Sequence, residues 1–185
     1  MNPKLFDVQV RRVRHLTPRV RELLLTTPNE KALPQWTAGA HIAVHLNLPE
    51  RGLLVSHYSL VSSDEAYSDS AHTYRIAVQL EPNGIGSSYV HQRLTPGTRL
   101  QIGSPVNSFA LDRQVPKVLL LAAGIGVTPL VSMAHSLLRR KQSFQMVYSG
   151  RSLDQMAYAL SLKERCGDRL TLHTSDDGGQ IDIKS

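Results

Sequence analysis

Two glycine-bearing segments and one tyrosine carry most of the chemistry open to this 185-residue chain. The first segment is Gly124-Ile125-Gly126-Val127-Thr128-Pro129. It follows an apolar run at 118–123 and precedes a helical pattern, so a buried strand delivers the chain to a glycine turn. Bare backbone amides at Gly124 and Gly126 can approach a pyrophosphate there, and the positive pole of the helix favours its charge. The spacing differs from the usual dinucleotide fingerprint, and a plain strand-to-helix turn is the alternative reading. Arg151 and Ser152, past the next strand, are placed to meet an adenosine ribose or a 2′-phosphate; an exposed loop arginine is the alternative. The second segment is Pro82-Asn83-Gly84-Ile85-Gly86-Ser87-Ser88, which leads into a short helix at 89–94. Two glycines and two hydroxyls at a helix start form an anion nest, in which a phosphate monoester would meet Gly84, Gly86, Ser87 and Ser88. A capped loop explains the same residues. The third is Ser56-His57-Tyr58-Ser59-Leu60, where the tyrosine either packs or supports a flat ligand.

Other chemistries find no support. His41 and His45 share a strand, with no carboxylate or cysteine at ligand spacing, so no metal site is expected. The serines carry no elbow or triad signature, so no catalytic side chain is expected either.

The elements that would position these segments change character along the chain. Ile42, Val44, Leu46 and Leu48 alternate with polar residues, as do Tyr74, Ile76, Val78 and Leu80, which predicts half-buried strands. Weaker strands are expected at 6–13, 20–26, 56–61 and 99–102. Turn residues separate them, and about six short antiparallel strands of this kind predict a small closed barrel. After Pro116 the period changes. Residues 118–123 read as a strand buried on both faces, with Thr128 as N-cap and Pro129 as the first residue of the following helix. Leu130, Met133, Ala134, Leu137 and Leu138 recur at helical spacing. A strand at 144–148, a helix turning Leu153, Met156, Ala157 and Leu160 inward, and a strand at 170–174 complete β-α-β-α-β, the opening of a doubly wound parallel sheet. The expected domains are 1–112, a β-barrel, and 113–185, a partial α/β unit.

Composition narrows the partners. Hydrophobic residues make up 41% and charged residues 19%, an ordinary globular balance. No apolar run reaches membrane-span length, and the stretch from Met1 to Arg12 lacks the apolar core of a signal peptide. Cys166 is the sole cysteine, which rules out an internal disulfide and a cysteine-ligated iron–sulfur cluster, and points to the cytoplasm. An electron carrier would have to be organic or belong to another chain. The net charge of +6 fits a solvated basic surface, an acidic partner or a phosphorylated cofactor. Nucleic acid is disfavoured, because only 5% of residues are aromatic and no basic stripe interleaves with them.

In this order the segments resemble the reductase components of Rieske-type oxygenases, of the phthalate dioxygenase reductase and vanillate demethylase reductase kind, within the ferredoxin–NADP reductase superfamily. Trp36-Thr37-Ala38-Gly39-Ala40-His41-Ile42 is similar to that family's F-x-A-G-A-H-I, and Tyr58-Ser59-Leu60 to its R-x-Y-S-L. Residues 84–88 resemble its phosphate loop, 103–109 its G-x-P-R-N-x-F, and 121–129 its A-G-G-I-G-I-T-P. The resemblance implies a flavin, FMN in preference to FAD, with Tyr58 on its ring system. His57, Ser59, Leu60 and Val61 would adjoin it, with backbone bonds from the last three, and Gly86, Ser87 and Ser88 would hold its phosphate. It implies NADH or NADPH docked on 124–128, and single electrons passed to an iron–sulfur or oxygenase partner on another chain. Ser56, Ile85 and Val106 stand where the family has arginines, which implies fewer charge-assisted bonds to the flavin. A structural or regulatory subunit without productive flavin turnover is the alternative function. The family's later βα units are missing, so the strand at 118–123 is expected at an open sheet edge, covered by another chain in a hetero-oligomer.

Overall fold

The computed structural model describes residues 4–28, 31–62, 71–112 and 114–178. Met1, Asn2 and Pro3, and Arg113 at the expected domain boundary, lie outside the described residues.

Six strands form the first layer: β1 (Leu5–Thr17), β2 (Val20–Thr26), β3 (His41–Leu48), β4 (Gly52–Ser59), β5 (Thr73–Gln79) and β6 (Arg99–Gly103). Their order is β4-β3-β6-β1-β2-β5, with every neighbouring pair antiparallel. The alternation read in β3 is real: Ile42, Val44 and Leu46 point into a core that also holds Val8, Val10, Leu23, Leu25, Ile76 and Ile102. Each such side chain contributes about 1.5–3 kcal/mol on burial. The sheet is barrel-like, but no ladder closes it. β4 and β5 are its edges, and among the described residues one 2.9 Å backbone bond, from Val61 N–H just past β4 to the Arg75 carbonyl on β5, reaches across them. Gly39 precedes β3 at φ +96°, where a Cβ would lie 1.9 Å from the Phe109 carbonyl oxygen. Only glycine permits that approach. Between β5 and β6 runs the helix α1 (Ile85–Arg93), which starts four residues earlier than the expected helix at 89–94.

The second layer is a parallel sheet, β7 (Lys117–Ala123), β8 (Ser143–Gly150) and β9 (Leu170–Thr174), in the order β7-β8-β9. The crossovers are α2 (Val127–Arg139) and α3 (Ala159–Cys166). α2 buries Leu130, Val131, Met133, Ala134 and Leu137 against Leu120, Ala122, Phe144, Met146 and Tyr148.

Four local expectations need correction. β7 is buried on one face only: Leu120 and Ala122 are covered, whereas Leu119 and Leu121 are 61% and 56% exposed. Its apolar run is continuous, but helices pack on one side of the described sheet. β5 is buried on both faces rather than one, because Ala77 on its other face joins the core of the second layer. Thr128 is not an N-cap. A 3-10 turn at Gly124–Gly126 runs directly into α2, so Thr128 falls inside the first turn and its hydroxyl donates to the Ile125 carbonyl at 3.0 Å. The helix expected from Leu153 begins only at Ala159, because Tyr158 takes φ +64°. Ala159, Leu162 and Cys166 then face inward, and Leu160 faces solvent.

The two layers meet through apolar and directional contacts. Val20, Val61 and Ala77 of the first pack into the core of the second. From α2, Ser132 Oγ donates to the Leu60 carbonyl at 2.9 Å and accepts from Ser62 N–H at 2.9 Å. Ser62 Oγ and His135 Nδ1 share a bond of 2.7 Å. From the start of α3, the Tyr158 hydroxyl donates to Glu22 Oε2 at 2.8 Å.

Candidate functional site at the seam between the sheets

A cleft of about 640 Å³ opens where the two layers meet. β4 contributes Ser56, His57, Tyr58 and Ser59; β5 contributes Ala77, Val78 and Gln79; the turn into α1 contributes Glu81, Gly84, Gly86 and Ser87. From the other layer come Ile125, Gly126, Thr128 and Pro129. Three segments separated by tens of residues therefore converge, because β4 and β5 are the sheet edges on which α2 leans.

Strand alternation fixes what β4 presents. Tyr58 lies opposite Ile42 and Ser56 opposite Val44, so both side chains share one face. Burial raises the Tyr58 phenol above its usual range, and a side-chain hydrogen bond with Ser56 pulls it partly back. The ring is therefore a neutral surface at physiological pH.

The α1 end is crowded. Gly84 precedes the helix without a side-chain cap. Ser87 Oγ donates to the Gly84 carbonyl at 3.1 Å and accepts from Glu81 N–H at 3.1 Å, so its only hydroxyl proton is engaged. A Cβ on Gly86 would stand 3.0 Å from Ser56 Oγ and 3.2 Å from Leu54 Cδ2. The donors this end turns to the cleft are first-turn amides, the groups every helix N-terminus leaves without intrahelical partners. The α2 end is bare by contrast. A Cβ on Gly124 or Gly126 would meet nothing within 4 Å, although Gly124 sits at φ +50°.

The structure brings His57, Tyr58, Ser59, Gly84, Gly86, Ser87, Gly126 and Thr128 to the cleft wall. Leu60 and Val61 lie fully buried behind it. Leu60 N–H bonds the Ala40 carbonyl at 2.8 Å, and Val61 N–H is taken by Arg75. Ser88 and Gly124 do not line the cleft; the Gly124 carbonyl accepts the Tyr148 hydroxyl at 3.3 Å. Arg151 and Ser152 also stand apart from it, and the Ser152 hydroxyl is held by Asp154. Sequence reading missed Gln79 and Glu81. Gln79 Nε2 donates to Glu81 Oε1 at 2.8 Å, which fixes a carboxylate at the cleft edge. Their placement at the end of β5, just before the glycine loop, was the available signal.

Among the described residues that line the cleft there is no lysine or arginine. Of the three residues standing where arginines were expected, Ser56 lines the cleft, while Ile85 and Val106 are largely exposed. Among the described residues no group of three or more His, Cys, Asp or Glu could hold a metal ion, and no helix is long and apolar enough to cross a membrane.

Known proteins share this arrangement. The chain is 39% identical over 169 residues to the heme-dependent oxidative N-demethylase beta subunit of Ectopseudomonas mendocina, covering 90% of this chain and 51% of that protein. It is 34% identical over 168 residues to the vanillate O-demethylase oxidoreductase of Acinetobacter baylyi, covering 90% and 50%. Among solved structures it superposes on phthalate dioxygenase reductase with a TM-score of 0.82 at 26% identity, covering 98% of this chain and 54% of that one. That structure is described as modular, for electron transfer from pyridine nucleotides to [2Fe-2S]. The chain spans about half the length of the curated relatives it matches. Residues 7–111 match the family described as the oxidoreductase FAD-binding domain, and the chain belongs to that family.

Proposed function

We propose that this chain binds a flavin and a nicotinamide nucleotide in one cleft and forms the entry point for electrons into a multicomponent oxygenase or demethylase. The observation that carries the reading is the convergence of the Tyr58 strand, the α1 nest and the α2 glycine turn on a single cavity. Its volume, about 640 Å³, suits a ligand of cofactor size. The division of labour follows the sequence domains, 1–112 for the flavin and 113–185 for the nucleotide.

A bound flavin supplies two-electron acceptance from a nicotinamide and release of electrons one at a time. The protein supplies the geometry. Tyr58 offers a neutral aromatic face, worth about 0.5–1.5 kcal/mol in stacking beyond the area it buries. Ser56 steadies that ring through its hydrogen bond. The first-turn amides of α1 fit a terminal phosphate, which favours FMN over FAD. The bare turn at Gly126 lets a pyrophosphate approach the positive end of α2. NADH and NADPH both fit, since Arg151 stands away from the cleft wall. Electrons leaving the flavin go to an iron–sulfur or oxygenase component in the cytoplasm. The exposed Leu119 and Leu121 face of β7 is where we expect other polypeptide to pack in a hetero-oligomer.

The second reading, a structural or regulatory subunit, is favoured by one observation: among the described residues the cleft wall carries Glu81 and no lysine or arginine. Without a charge-assisted bond, flavin affinity is expected to fall roughly ten- to hundredfold below that of a site with one. Anaerobic mixing of flavin-loaded protein with NADH or NADPH separates the two. Bleaching of the flavin absorbance supports the reductase; a stable oxidised spectrum with both nucleotides supports the subunit. Chromatography of released cofactor tests FMN, and recovery of FAD alone would overturn that choice.

A further inference from the structure

The contacts between the two layers contain a buried charge that the cleft does not use. Glu22 lies on β2 with its side chain 2% exposed. Arg14 Nη2 is 3.2 Å from both of its oxygens, Arg75 Nη1 is 4.0 Å from Oε2, and the Tyr158 hydroxyl donates to Oε2 at 2.8 Å. Both arginines belong to the same sheet as Glu22. Among the described residues, Tyr158 alone reaches it from the nucleotide layer, 136 residues along the chain.

Three observations set this tyrosine apart from ordinary packing. It is a non-glycine residue in the left-handed region, at φ +64°, so the backbone there is strained. Its phenol is raised well above the usual range, by burial first and the Glu22 charge second, so it stays a donor at any working pH. Removing its hydroxyl would leave Glu22 Oε2 without its one contact to the other layer.

The geometry points to Tyr158 as a positioning residue: its bond to Glu22 is the second of two anchors that fix the angle of the nucleotide layer on the flavin layer. The first anchor is the knot of Ser132 and His135 on α2 with Leu60 and Ser62. Apolar contact between Val20, Val61, Ala77 and the helices is non-directional and tolerates sliding. The first anchor acts through α2 alone; a second, at the start of α3, resists rotation of the layer about the first. The α2 glycine turn then stays registered over Tyr58, as hydride transfer between two bound ligands requires. The consequence for transfer rests on the function proposed above; the anchoring itself does not.

The test uses Tyr158→Phe, which keeps the ring and its packing. Spin labels on Asn47→Cys and Gln145→Cys, both exposed and in different layers, report the inter-layer distance in flavin-free protein, with buried Cys166 unlabelled. A narrow distance distribution in the parent chain and a broader or shifted one in the variant support the anchor. The same distribution in both overturns it, whatever the protein does with flavin. In flavin-loaded protein, the variant should reduce its flavin roughly ten- to hundredfold more slowly at saturating nucleotide, with nucleotide affinity within about twofold. A parent chain that is not reduced by nucleotide refutes the reductase reading and leaves the distance measurement to decide the anchor. A weakened nucleotide affinity with an unchanged rate would show that Tyr158 does not set the transfer geometry.

Discussion

Two helix N-termini face the same cleft, and their glycines do opposite jobs. At α1 the glycines are small because the protein is close: a Cβ on Gly84 would come within 2.4 Å of Ser87 Oγ, and one on Gly86 within 3.0 Å of Ser56 Oγ. At α2 the glycines are small although the protein is far, since nothing lies within 4 Å of a Cβ on Gly124 or Gly126. A glycine that fits tightly against its own chain is there for packing. One facing open space at the positive end of a helix leaves room for something outside the chain. On the function proposed above, the comparison makes the α1 end a preformed nest and the α2 turn an approach surface.

The largest expected effect falls on the open end. Gly124→Val and Gly126→Val should both leave flavin in place, Gly124→Val at some cost in stability because Gly124 sits at φ +50°. Both should lower flavin reduction by nicotinamide nucleotide about a hundredfold or more, because a branched side chain blocks the pyrophosphate. Stopped-flow absorbance measures this; a normal rate in both variants would make the turn merely structural. The closed end should respond differently. Gly86→Ala brings a methyl group to 3.0 Å from Ser56 Oγ and 3.2 Å from Leu54 Cδ2, so those side chains must give by a few tenths of an ångström. This should weaken flavin binding and change stability in thermal melts by about 1 kcal/mol or less, because the helix propensity of alanine offsets part of the crowding. Unchanged flavin binding would show the nest to be looser than its distances imply. Next in size, Tyr58→Ala should weaken flavin binding roughly two- to tenfold through lost stacking, with the sheet still folded by circular dichroism. Flavin affinity equal to the parent's would leave Tyr58 as packing alone.

The smallest effect concerns how α1 is pinned. His91 donates from Nε2 to the Val78 carbonyl at 2.9 Å, and its own carbonyl accepts from Arg21. Its pKa is lowered below 6.5, chiefly by burial, with the charges of Arg21 and His15 adding to this and the Val78 bond opposing it. The folded state therefore binds the proton less readily than the unfolded state, and stability must fall as pH drops through the unfolded value. Melting between about pH 7.5 and 5 should show a shallower acid decline for His91→Gln than for the parent. An identical decline would remove His91 from the account.

How much of this was legible beforehand follows from the range of the interactions involved. Alternation in β3 and the turn chemistry around Pro82 and Gly84 are local, and sequence reading located those elements. The parallel strands 144–148 and 170–174 were equally plain, since burial and turns on each side bound them. β7 was misjudged because an apolar run records what a strand tolerates, not which of its faces is covered. α3 was placed too early because Tyr158 takes φ +64° and interrupts the apolar pattern, and its side-chain partner, Glu22 on β2, lies in no window of sequence around it. The same reason hid Ser62, Ser132 and His135. Three glycine and tyrosine segments were readable as chemistry. The cleft they form was not, because it exists only where the sheet edges β4 and β5 meet α2.

The most direct test of the central claim, one cleft with a preformed nest and an open approach surface, is titration of FMN into flavin-free protein followed by flavin fluorescence. The account predicts saturable binding by the parent chain, binding by Gly126→Val within about twofold of it, and binding by Gly86→Ala weaker by roughly tenfold, as about 1.4 kcal/mol of lost fit would give. Absence of binding by the parent, or weakening by Gly126→Val with Gly86→Ala unaffected, would contradict it.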